Sequence, residues 1–160
     1  MDHIVVLGAG VGGTMTANML RRRLDRSDAE ISIVDKSTEH AYQPSFYLLP
    51  FEYMEPEDQF RDIRGLLSDG IDFVHSAVTG VDPDTKTVAL EDGELSYDYL
   101  VVALGHRLAP ETTPGMLEGW EETDSVYPFY HFEAAMQLRD ALKDFDGGTF
   151  VVSVPDTSIK

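Results

Sequence analysis

Polar and apolar positions change period twice in the first 35 residues. Ile4-Val5-Val6-Leu7 is a continuous apolar run of strand length. From Val11 to Leu24 apolar residues recur at helical spacing, which predicts a helix with Met15, Met19, Leu20 and Leu24 on its core face. Ile31-Ser32-Ile33-Val34 predicts a second strand, closed by Asp35. Residues 40–53 are rich in aromatics and proline without a clean period, and fit either a loop over the core or a wall for a flat ring. Phe60, Ile63, Leu66 and Leu67 predict a helix over Pro56–Leu67. One strand is expected from Ile71 to Val81, a turn at Asp82-Pro83-Asp84-Thr85, a strand over Thr87–Leu90 and a turn at Asp92-Gly93. The run Tyr99–Gly105 has a continuous apolar centre, as a strand buried on both faces would. A connector over Glu111–Tyr127, a helix over Phe132–Phe145 and a strand over Thr149–Val154 complete the chain.

These elements predict an α/β fold: a Rossmann-like domain with a parallel sheet and an antiparallel β-meander, then the start of a second domain. Residues 1–110 form the first domain, 111–127 the connector and 128–160 the opening of the second.

The turn between the first strand and the helix carries the candidate chemistry. Gly8-Ala9-Gly10-Val11-Gly12-Gly13 fits G-x-G-x-x-G, with a strand before it and a helix after it. Gly8 permits the tight turn, Gly10 admits a pyrophosphate close to the backbone, and Gly13 brings helix and sheet together. The helix N-terminus, from Val11 and Gly12, offers N–H groups and about half a positive charge to phosphates. Asp35, about 20 residues beyond the last glycine, is placed to accept from a ribose hydroxyl, with Lys36 beside it.

Charge narrows the partners. With 29 acids against 12 bases the net charge is −17, and only four residues are lysine. Nucleic acid and anionic membranes repel such a chain. The balance resembles that of proteins from salt-loving archaea, in which concentrated salt screens the acids from one another. There is no cysteine, and the five histidines are scattered, so no metal site and no catalytic nucleophile of the cysteine class is expected. No G-x-S-x-G elbow is present. No apolar run is long enough to cross a membrane, and the first strand begins at the N-terminus, so a cytoplasmic protein is expected.

Several segments together resemble the pyridine nucleotide–disulfide oxidoreductase superfamily of flavoproteins. Ala17 follows the glycine loop as in their FAD fingerprint. Tyr97-Asp98-Tyr99-Leu100-Val101-Val102-Ala103-x-Gly105 resembles their second signature, with Leu104 where the family usually has threonine. Within the superfamily the chain looks most like sulfide:quinone oxidoreductases and their flavocytochrome relatives. Gln43-Pro44-Ser45-Phe46 resembles their loop beside the isoalloxazine, and Ala77-Val78 with Val81-Asp82-Pro83 their adenine-side strand and turn. Gly147–Val152 and Val154-Pro155-Asp156-Thr157-x-Ile159-Lys160 resemble the opening of their second domain.

The resemblance implies FAD as cofactor, with Gly8, Gly10, Val11, Gly12, Gly13, Asp35, Lys36, Pro44, Val78, Ala103 and Gly105 around it. It implies electrons passing from sulfide through FAD to a quinone in a longer polypeptide. There, a redox cysteine follows the Pro-x-x-x-Ile-Lys motif and later segments face the membrane peripherally. In NAD(P)H-using members a second G-x-G-x-x-G stands where this chain has Val151-Val152-Ser153-Val154-Pro155-Asp156, without a glycine. An NADH:quinone dehydrogenase and a non-catalytic nucleotide-binding module are the alternatives. The 160-residue chain alone is not expected to be catalytically competent. An unpaired apolar strand at 149–154 predicts association with a second copy.

Overall fold

The structure, a computed structural model, describes residues 1–153. Cα packing divides the chain into two units. One holds Met1–Tyr42 with Phe60–His106; the other holds Gln43–Gln59 with the chain from Arg107 onward.

The first unit is built on a four-stranded parallel sheet. Its strands are β1 (Asp2–Leu7), β2 (Ala29–Asp35), β5 (Asp72–His75) and β9 (Tyr99–Val102), in the order β5-β2-β1-β9. Side chains alternate across it. Ile4, Val6, Ile31 and Ile33 face α1 (Val11–Arg23), meeting Ala17, Leu20 and Leu24. Val5, Leu7 and Val34 face the other way, onto Val78, Val88 and Leu95. That second cover is a three-stranded antiparallel meander: β6 (Val78–Asp82), β7 (Thr87–Leu90) and β8 (Gly93–Ser96). Burial on both faces is why β1 reads as a continuous apolar run and β2 as one broken only by Ser32. A short antiparallel pair, β3 (Glu39–Ala41) with β4 (Phe60–Asp62), completes the unit.

The second unit packs α3 (Phe132–Lys143) against the 3₁₀ segment Gln43–Phe51. Phe46 and Phe132 meet edge to face at 5.5 Å. Arg139, only 14% exposed in its side chain, reaches Glu52 (3.4 Å) and Glu55 (3.7 Å). Glu52 has a left-handed φ of 59°, and its N–H donates to Leu49 C=O (3.1 Å). The Ser45 hydroxyl donates to the Gln59 amide oxygen, and both side chains are buried. A short helix, α2 (Met116–Glu122), lies ahead of α3.

Five sequence expectations are corrected. Met15 and Met19 are 58% and 47% exposed. The buried positions of α1 are instead Gly13, Thr14 and Ala17, because only small residues let a helix approach a sheet closely. Pro56–Leu67 is not one helix but a 3₁₀ turn at Pro56–Gln59, β4, and a second 3₁₀ turn at Ile63–Leu66. The i, i+3 spacing of Phe60, Ile63 and Leu66 suits three residues per turn as well as it suits an α-helix. Ile71–Val81 breaks at Ser76-Ala77, where the chain leaves the parallel sheet for the meander. β9 is an edge strand among the described residues, so Tyr99 and Val102 are 60% and 66% exposed rather than buried. Thr149–Ser153 forms no strand. Val154 and the Pro-x-x-x-Ile-Lys motif lie outside the described residues.

Candidate functional site

The C-terminal ends of β1 and β2 and the N-terminus of α1 converge on the glycine loop. Gly8 has φ +93°, and a Cβ there would stand closer than 3.0 Å to the Ala103 carbonyl. The Gly8 N–H donates to Val34 C=O (2.7 Å), and the Ala103 N–H to Leu7 C=O (2.8 Å). The loop is thereby pinned between β2 and the chain leaving β9. A Cβ on Gly13 would also come within 3.0 Å of the Gly8 carbonyl, with Val6 Cγ1 at 3.4 Å. These two glycines are required by the protein's own packing.

Gly10 differs. It is the N-cap of α1 with extended backbone (φ −69°, ψ −171°), and a Cβ built on it meets nothing within 4 Å. Space for a ligand therefore lies at Gly10, at the positive end of a helix whose first N–H groups have no intrahelical acceptor. The first helical bond runs from the Thr14 N–H to Gly10 C=O (2.9 Å). This is a cradle that a Cβ would fill, and a pyrophosphate fits it.

Asp35 stands at the end of β2 with both carboxylate oxygens engaged. Oδ2 accepts the Ala9 N–H (2.7 Å) and Oδ1 the Ser37 N–H (2.9 Å). Each oxygen keeps a lone pair for a hydroxyl donor, since a carboxylate has about four acceptor sites. Lys36 is exposed, and its carbonyl accepts from His75 Nε2 (3.0 Å). Val78 opens β6 and packs into the core under the sheet. Ala103 and Gly105 (φ +69°) follow β9, and Ala103 lies against Gly8 of the loop. A Cβ on Gly12 would make only ordinary contact with Ala103 Cβ, at 3.9 Å. Pro44 belongs to the second unit and is exposed.

Three further residues meet this loop or its neighbour Asp35. Thr14 Oγ1 donates to Ala9 C=O (2.9 Å), and His40 Nδ1 lies 2.9 Å from the same oxygen. The Ser76 N–H donates to Asp35 C=O (3.0 Å), while its buried hydroxyl has no partner among the described residues. A threonine directly after Gly13, in the first helical turn, is a local signal that marks a buried hydroxyl near the loop. For His40 the sequence carries no local signal, because its contact lies 31 residues away.

Among the described residues no group of acids and histidines could hold a metal ion, and no helix is long and apolar enough to cross a membrane.

The family model for pyridine nucleotide-disulphide oxidoreductases matches residues 2–145. The mitochondrial sulfide:quinone oxidoreductase of Dictyostelium discoideum is 31% identical over 100% of this chain and 35% of its own length. The type II NADH:quinone oxidoreductase of Staphylococcus haemolyticus is 28% identical over 88% of this chain and 34% of its own length. The crystal structure of the Aquifex aeolicus sulfide:quinone oxidoreductase superposes with a TM-score of 0.70 at 28% identity, covering 90% of this chain and 32% of that one. This chain thus spans about a third of the length of the relatives it matches. It belongs to the pyridine nucleotide-disulphide oxidoreductase family, whose members are FAD-binding flavoproteins.

Proposed function

We propose that this chain is the FAD-cradling portion of a sulfide:quinone oxidoreductase-like flavoprotein. Bound FAD would supply a ring system that accepts electrons from one substrate and hands them to another. The chain's own residues bind and orient. N–H groups at the start of α1 take the pyrophosphate, Asp35 takes a ribose hydroxyl, and Gly10 leaves room for both to approach. Sulfide as donor and a quinone as acceptor belong to the longer polypeptide.

The observation that carries the donor assignment is the segment Val151-Val152-Ser153-Val154-Pro155-Asp156. It holds no glycine where a second nucleotide loop is expected, and side chains at every position obstruct a pyrophosphate. The match to the Dictyostelium relative, which runs the whole length of this chain, supports the same reading.

The test is anaerobic. In a polypeptide carrying this chain together with the remaining two-thirds of its relatives' length, sulfide should bleach the flavin absorbance and NADH should not. Bleaching by NADH alone overturns the donor assignment in favour of an NADH:quinone oxidoreductase. A polypeptide that takes up no flavin overturns the cofactor assignment as well.

A further inference from the structure

Both peptide groups flanking Ala9 are fastened, each by a residue outside the loop. The peptide ahead of Ala9 gives its N–H to Asp35 Oδ2 at 2.7 Å. The peptide after it offers its C=O to Thr14 Oγ1 and to His40 Nδ1, both at 2.9 Å. A carbonyl only accepts, so Nδ1 of His40 carries the proton, whether the ring is neutral or charged.

This arrangement has a consequence for the next residue. In a trans peptide the N–H points opposite to the C=O of the same group. Holding Ala9 C=O toward Thr14 and His40 turns the Gly10 N–H to the other side. There are no cis peptide bonds among the described residues, and a Cβ on Gly10 would meet open space.

We propose that His40 is a positioning residue for the dinucleotide: by donating Nδ1–H to Ala9 C=O it fixes the Ala9–Gly10 peptide so that the Gly10 N–H faces the phosphate. The proposal rests on the dinucleotide reading above. His40 touches no ligand in this role; it acts through the backbone. Its own place is set by β3, where it stands opposite Arg61 of β4. Thr14 shares the carbonyl but is part of α1 and moves with it. His40 comes from a separate strand and ties the loop to the body of the unit. Losing it leaves the Ala9–Gly10 peptide a single tether on its oxygen and widens the range over which it can turn.

Two substitutions separate the donor from the ring. His40→Phe keeps an aromatic ring and removes the donor. His40→Asn removes the ring and keeps an N–H close to the position of Nδ1. Titration calorimetry of the 160-residue chain with ADP, which carries the pyrophosphate and the ribose, reads the result, and circular dichroism checks the fold of each variant. Phe should weaken ADP binding about tenfold, the worth of one well-placed hydrogen bond, and Asn should stay within about threefold of wild type. Affinity that follows the ring instead, with Phe binding as wild type and Asn weakened, overturns the proposal. So does wild-type affinity in both variants, which would leave the dinucleotide site standing without this residue. A wild-type chain that ignores ADP removes the dinucleotide reading and this inference with it.

Discussion

Val6 and Val151 sit in stretches of the same character, Ile4-Val5-Val6-Leu7 and Phe150-Val151-Val152, yet one is 0% exposed and the other 76%. The first stretch is a central strand with a ladder on each side, β2 at one edge and β9 at the other. The second has no strand beside it among the described residues and takes no regular structure. β-propensity measures fit to a pleated, half-buried surface, and a run of valines without neighbours has no such surface. Backbone groups that cannot join a ladder stay in water. Apolar composition therefore marks the candidates for a sheet, and neighbours decide which of them form one.

The sharpest way to break this contrast is inside the glycine loop. A β-branched side chain at Gly13 must push against the Gly8 carbonyl and Val6, so Gly13→Val should cost about 4 kcal/mol or more and leave the first unit unfolded by circular dichroism. At Gly10, three residues away, a Cβ meets nothing within 4 Å, so Gly10→Val should cost only about 1 kcal/mol, for a poorer N-cap, yet should abolish flavin retention. Wild-type flavin stoichiometry in Gly10→Val would show that the phosphate lies elsewhere.

A smaller effect compares the two valines directly. Val6→Ala empties a fully buried position and should cost about 2 kcal/mol in urea unfolding. Val151→Ala should stay within about 0.5 kcal/mol, because the methyl groups it deletes already stand largely in water. Equal losses would mean that residues 149–153 are buried in solution against something the chain itself does not supply.

The least local effect is that of salt. With 29 acids and 12 bases most carboxylates have no cation to pair with. The screening length falls from about 10 Å at 0.1 M to about 3 Å at 1 M, so the melting temperature should climb across that range of KCl. A flat or falling melt would mean that self-repulsion is not what limits this fold.

The glycine loop, α1, β2 and Asp35 were legible because all of their information lies within 35 consecutive residues. Helical periodicity did not reveal which side of α1 faces the sheet. There the large residues Met15 and Met19 point to solvent and the small ones, Gly13 and Ala17, make the contact. The break at Ser76-Ala77 was hidden because apolar residues continue on both sides of it, although the strands belong to different sheets. The pairing of β3 with β4 depends on residues 19 to 23 positions apart, and the contact of His40 with Ala9 on a strand that no run of residues announces. What a sequence displays poorly is what long-range pairing creates.

The contact between Phe46 and Phe132 carries a consequence for biosynthesis. Residues 43–51 leave the ribosome early, but the helix they pack against is not complete until Lys143 has been added. Until then α3 does not cover the side chains of Phe46 and Leu49, which are buried in the finished protein, and they are open to chaperones or to neighbouring nascent chains. The interval is set by translation, at about 5–20 residues per second, and so lasts several seconds. Slower elongation lengthens it, which ties the yield of native protein to the pace of the ribosome as well as to the stability of the fold.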